Sequence, residues 1–101
     1  MTRSKVRIPE QKIADFCKRW KVSELALFGS ILRENFRSDS DVDVLVTFSP
    51  DARPSSFDLA TMKDELESML ERRVDLVEKA GLRNPFRRRE ILRNLEVVYA
   101  A

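Results

Sequence analysis

A Gly-Ser pair, followed about ten residues later by two aspartates at alternate positions, constrains this chain more than any other feature: Gly29-Ser30, then Asp41-Val42-Asp43. The apolar run Leu25 to Phe28 leads into the pair, so a strand must end where a tight turn begins. A short helical stretch and a polar loop follow, and a second apolar run then carries the two acids. Alternate residues of a strand share a face, so Asp41 and Asp43 project together while Val42, Val44 and Val46 turn into the core. Two carboxylates side by side repel unless a cation stands between them, and hard divalent ions such as Mg²⁺ take oxygen ligands. A Gly-Ser turn that opens a helix presents free backbone N–H groups, which suit phosphate. Phosphate cradle and metal-holding carboxylates together point to nucleotide chemistry.

What the chain lacks narrows the chemistry further. It has no histidine, which excludes Ser-His-Asp hydrolysis, Cys-His chemistry and histidine-ligated zinc. A general base must then be a carboxylate, a lysine or a tyrosine. The single cysteine, Cys17, forms no internal disulfide, and its place among Ile13, Phe16 and Trp20 predicts a buried core thiol. No apolar run approaches the ~20 residues that span a bilayer, and the basic N-terminus lacks the apolar core of a signal peptide; the expected location is the cytoplasm. Net charge is only +2, but it is unevenly spread. Residues 1–23 hold seven Lys/Arg against two acids, residues 24–81 seven against thirteen, and residues 82–101 five against two. The segment with the candidate site is therefore the acidic one, and a nucleotide triphosphate would be repelled there without screening by metal ions.

The 101 residues suffice for one domain with one modest core. Pro9 opens a helix to about Trp20, with Ile13, Phe16, Cys17 and Trp20 at helical spacing. Strands are expected over Glu24–Phe28, Val42–Phe48 and Val74–Glu78, with a short helix over Ile31–Asn35. Ser49 to Ser55 reads as a loop, and Ser56 as the cap of a long helix with Leu59, Met62, Leu66, Met69 and Leu70 on one apolar face. Asn84 and Pro85 read as cap and first-turn residues of a last helix ending near Leu95, and Val97–Tyr99 as a short edge strand. The order predicts an α/β (α+β) domain: a small mixed sheet of three to four strands, helices mainly on one face, and the other face partly open.

Gly29-Ser30, Arg33 and Ser40-Asp41-Val42-Asp43 resemble the G-S…D-x-D motif of the DNA polymerase beta-like nucleotidyltransferase superfamily. More narrowly, the chain resembles the minimal nucleotidyltransferases (MNT proteins), which act as antitoxins to HEPN-domain toxins. The likeness runs over most of the chain and takes in the long helix after the second strand and the strand Arg73-Val-Asp75-Leu-Val, whose Asp75 falls where the family keeps its third carboxylate. It departs from the commonest pattern at Leu32 and Glu34, where a small residue and a glycine often flank the arginine. The resemblance implies in-line transfer of a nucleotide with pyrophosphate leaving, and two Mg²⁺ ions ~4 Å apart serve such a reaction. Asp41 and Asp43 would be shared by both ions and Asp75 would hold the catalytic one, if the strands lie adjacent in the right register. Asp75 would also help to accept the proton of the attacking hydroxyl. Gly29 and Ser30 would grip the β- and γ-phosphates, and Arg33, one helical turn on, would reach a phosphate oxygen.

Singly, each of these residues has a plain structural explanation: a solvated Asp pair, a strand-ending turn, a surface arginine. Their combination at this spacing is what favours chemistry. Arg87-Arg88-Arg89 is expected to be a solvated helix face or a partner contact, and Trp20 and Tyr99 to be packing residues. Larger members of the superfamily carry separate domains for template, tRNA or drug, and these 101 residues leave no room for one, which favours a folded protein as acceptor over nucleic acid. The function implied by the resemblance is an antitoxin that transfers AMP from ATP to a tyrosine of a cognate HEPN ribonuclease toxin. The alternatives are neutralisation by binding alone, or nucleotidyl transfer to a small molecule or an RNA end.

Overall fold

The computed structural model describes residues 8–29 and 41–101. The expected helix Ile31–Asn35, together with Ser30 and Arg33, lies outside them.

Helix α1 (Glu10–Trp20) follows Pro9, whose fixed φ suits a helix start, and buries Ile13, Phe16 and Cys17 on one side. It stops at Lys21, which adopts a left-handed conformation (φ 59°) and donates its N–H to the Cys17 carbonyl. That single residue turns the chain directly into strand β1 (Val22–Phe28), which therefore starts two residues before the expected Glu24. Strand β2 (Val42–Phe48) has the expected bounds.

Helix α2 (Ser56–Leu70) is capped by Ser55, not by Ser56. The carboxylate of Asp58 decides this, because it lies three residues after Ser55. Ser55 Oγ accepts from the Asp58 N–H at 3.1 Å, and Asp58 Oδ2 accepts from the Ser55 N–H at 2.9 Å, a reciprocal capping box. Strand β3 (Val74–Glu78), a 3-10 turn (Lys79–Gly81) and helix α3 (Pro85–Arg93) follow. Asn84 caps α3 as expected, its Oδ1 accepting from the N–H groups of Phe86 and Arg87 at 3.0 and 3.2 Å. The helix ends two residues short of Leu95, which instead packs under the sheet as the chain enters strand β4 (Glu96–Ala100).

The strands form one sheet in the order β3-β2-β1-β4. β1 pairs antiparallel with both β2 and β4, whereas β2 and β3 run parallel, α2 serving as their crossover. One face carries Leu25, Leu27, Val42, Val44, Val46 and Val74 into the larger core, where α1 and α2 add Ile13, Phe16, Met62 and Leu66. The opposite face holds a smaller cluster of Ala26, Phe28, Leu45, Leu82 and Ile91, so α3 covers part of it. A second tie joins α1 to α2: Glu65 Oε1 accepts from the Trp20 indole N–H at 3.1 Å and also from the Arg19 guanidinium. Trp20 and Tyr99 both pack against the larger core, as expected.

Candidate active site

The alternation that drives Val42, Val44 and Val46 into the core sends Asp43 and Leu45 to the opposite face. In β3 the same rule buries Val74 and leaves Asp75 exposed. The parallel register makes Val42 the partner of Val74 and Asp43 the partner of Asp75. Paired positions in neighbouring strands sit about 4.8 Å apart and share a face, so these two acids stand side by side. The packing fixes that placement. Val42, Val44 and Val46 are each fully buried, an arrangement contributing roughly 1.5–3 kcal/mol per side chain. Repulsion between two solvated carboxylates is about 1 kcal/mol at such range, so it does not move the strands.

Gly29 meets the acids from the other side. Phe28, at the end of β1, pairs with Asp43 across the antiparallel ladder, and Gly29 follows it with φ 76°. A Cβ built on Gly29 would lie 2.1 Å from Asp43 Oδ2. The carboxylate thus occupies the space that any other residue would fill, and the left-handed backbone there favours glycine independently. Glycine is required twice over.

Asp41 lies immediately before β2, two residues ahead of Asp43, and its exposed carboxylate forms an ion pair with Arg73, Oδ1 lying 3.1 Å from Arg73 Nε. Arg73 stands two residues before Asp75, and its carbonyl accepts from the Val42 N–H at 2.8 Å, so the two lead-in segments continue the β2–β3 ladder by one residue. Among the described residues, no three acidic side chains converge tightly enough to hold one ion as they stand. Gly29, Asp43 and Asp75 are brought together, while Asp41 sits beside them with a different partner. The backbone placement and the chemistry of the donors nonetheless fit a hard divalent cation. All the candidate ligands are carboxylate oxygens, on adjacent strands at one end of the sheet.

Two residues of this region are not picked out by motif. Arg73 carries a signal that alternation could have read: two positions before Asp75, it shares that face, as Asp41 shares the face of Asp43. Glu67 carries none. It lies on α2, yet its Oε2 accepts from the Val74 N–H at 2.8 Å, and its carbonyl accepts from the Arg72 N–H at 3.3 Å. Helix α2 therefore holds the start of β3, one residue from Asp75, through a charge-assisted bond.

A mixed sheet with paired acids on its two parallel strands, beside a glycine turn, is the architecture of a minimal nucleotidyltransferase. The chain belongs to the nucleotidyltransferase domain family, whose model matches residues 10–98. Its sequence is similar to the protein adenylyltransferase MntA of Thermococcus cleftensis, with 40% identity over 82 residues that span 81% of this chain and 78% of that protein. The fold is similar to that of a candidate minimal nucleotidyltransferase of known structure, with a TM-score of 0.70 and 34% identity over 86% of both chains. It is also similar to a chain in the complex of the tri-AMPylated Shewanella oneidensis HEPN toxin with its MNT antitoxin. There the TM-score is 0.65 and the identity 20%, over 91% of this chain and 70% of that one, a likeness of fold. The enzyme is a nucleotidyltransferase.

Proposed function

We propose that this chain is an antitoxin that transfers AMP from ATP, with Mg²⁺, to a tyrosine of a cognate HEPN-domain toxin. The observation that carries the catalytic part is the register that sets Asp43 beside Asp75, with Gly29 under the Asp43 carboxylate. Similarity to a protein named as an adenylyltransferase supports the acceptor, and so does the shared fold with a chain from a toxin complex that bears AMP.

Asp41, Asp43 and Asp75 would hold the divalent ions, which when bound supply charge neutralisation for the triphosphate and in-line alignment of the attacking oxygen. The chain's own residues do the rest. Gly29 and Ser30 would receive the β- and γ-phosphates, and Arg33 would offer them a guanidinium. The tyrosine oxygen then bonds to the α-phosphorus while the bond to the pyrophosphate oxygen breaks. The phenolic proton passes to a carboxylate, for which Asp75 is suited, being exposed and on an edge strand of the sheet, open to a protein acceptor.

The test uses the purified chain with its cognate HEPN-domain toxin, incubated with ATP and Mg²⁺ and weighed intact. A gain of one or more AMP masses on the toxin, lost on replacing its acceptor tyrosine by phenylalanine, is the expected result. Binding of the two proteins without any mass gain would overturn the enzymatic proposal and leave neutralisation by binding alone.

A further inference from the structure

An ion pair joins Asp41, a candidate metal ligand, to Arg73. The two residues sit side by side at the lead-in to the parallel strands, Arg73 Nε 3.1 Å from Asp41 Oδ1, and both side chains are well exposed. A carboxylate so held is partly neutralised by the guanidinium beside it. We propose that Arg73 is the resident counter-ion of the site: it occupies Asp41 until a divalent cation displaces it, and so lowers the cation affinity of the nucleotide-free protein. The inference rests on the proposed role of the aspartates as metal ligands.

The physical argument is a competition for one carboxylate. A divalent ion gains a ligand by taking Asp41, but it must first displace the guanidinium of Arg73 from that carboxylate. Once displaced, the guanidinium remains at the same end of the sheet, two residues before Asp75, where its charge favours an anionic ligand. The displacement therefore couples cation and nucleotide: the metal releases the cationic side chain, and the phosphates receive it. Because the pair is solvent-exposed, the competition is modest, about one-and-a-half- to fivefold in affinity, within the range of exposed ion pairs.

Mn²⁺ serves as the probe, with free Mn²⁺ counted by electron paramagnetic resonance during titration of the nucleotide-free protein. Arg73→Gln should bind Mn²⁺ about one-and-a-half- to fivefold more tightly than the wild type, and Arg73→Lys should stay near the wild type. Removing any positive charge raises cation affinity somewhat, so the deciding comparison is made in an Asp41→Asn background. There the gain from Arg73→Gln should shrink to that general charge effect, because no carboxylate at position 41 remains to be released. A gain that persists unchanged in that background overturns the counter-ion role, as does an Arg73→Gln protein, folded by circular dichroism, whose affinity is unchanged or weaker. If the wild type binds Mn²⁺ and only the Arg73 variants fail the test, the aspartate assignment survives. If no variant binds Mn²⁺, even with a non-hydrolysable ATP analogue, both proposals fall.

Discussion

Gly29 and Asp43 compete for the same volume: a Cβ on the former would lie 2.1 Å from a carboxylate oxygen of the latter. Gly29→Ala therefore acts in two ways. The left-handed backbone costs an alanine about 1–2 kcal/mol, a loss visible as a lower Tm. The contact itself is with the end of a short side chain, which can rotate away at modest cost. That rotation removes Asp43 from beside Asp75. Mn²⁺ affinity and AMP transfer should consequently fall far more than stability does. A Gly29→Ala protein that keeps full metal affinity would show that the Asp43 rotamer does not matter.

Asp75 should give the opposite pattern. Asp75→Asn removes charge from an exposed position, so the fold should be unaffected or slightly stabilised as cross-strand repulsion with Asp43 is relieved. Losing a ligand to a catalytic ion should lower the rate of AMP transfer by about 100-fold or more. Thermal melts beside single-turnover assays of labelled AMP check both halves.

Glu67 should behave as a positioning residue, because it touches the backbone of β3 and not the site. Glu67→Ala leaves the Val74 N–H without its carboxylate acceptor, a loss of about 1–3 kcal/mol. Glu67→Gln keeps an acceptor oxygen and should recover most of that. The two variants should also rank in the same order for Mn²⁺ affinity, since loosening β3 displaces Asp75. Urea unfolding and the same titration measure the pair.

Glu71 offers a gain in stability. It is exposed, adopts φ 54° at the end of α2, and places a negative charge at the helix terminus that favours positive charge. Glu71→Gly removes both penalties at once and should raise stability by about 1 kcal/mol. An unchanged or lower Tm would show that the left-handed turn is held by something other than local backbone preference.

Cys17 sets an alkaline limit. Burial pushes its thiol from 9.0 up to about 12. Between those values the unfolded chain is deprotonated while the folded chain keeps its proton, so stability that is intact below pH 9 falls as pH rises toward 12. The slope is about 1.4 kcal/mol per pH unit. Cys17→Ala should flatten that part of the profile, and in the wild type the thiol should resist alkylation until the protein is denatured.

The face assignments that matter for the site were legible because the alternation in β2 and β3 is unbroken. Val42, Val44 and Val46 needed a core, and that alone fixed which way Asp43 points. The cap of α2 was misplaced by one residue because Ser55 and Ser56 are alike by type, and only the reach of the Asp58 carboxylate distinguishes them. β1 begins early because a left-handed Lys21, which no propensity favours, replaces a longer turn.

Local chemistry written along the chain thus determined the elements, their inward faces and the candidate acids, since periodicity and side-chain type are properties of neighbours in sequence. Which strands lie adjacent is not such a property. The tertiary structure decided that β3 joins β2 in parallel with Asp75 level with Asp43, that Gly29 underlies the carboxylate, and that Asp41 leans on Arg73. Those relations depend on how α2 carries the chain back across the sheet and where Glu67 pins it. Contacts between residues about thirty positions apart follow from packing, and no local pattern encodes them.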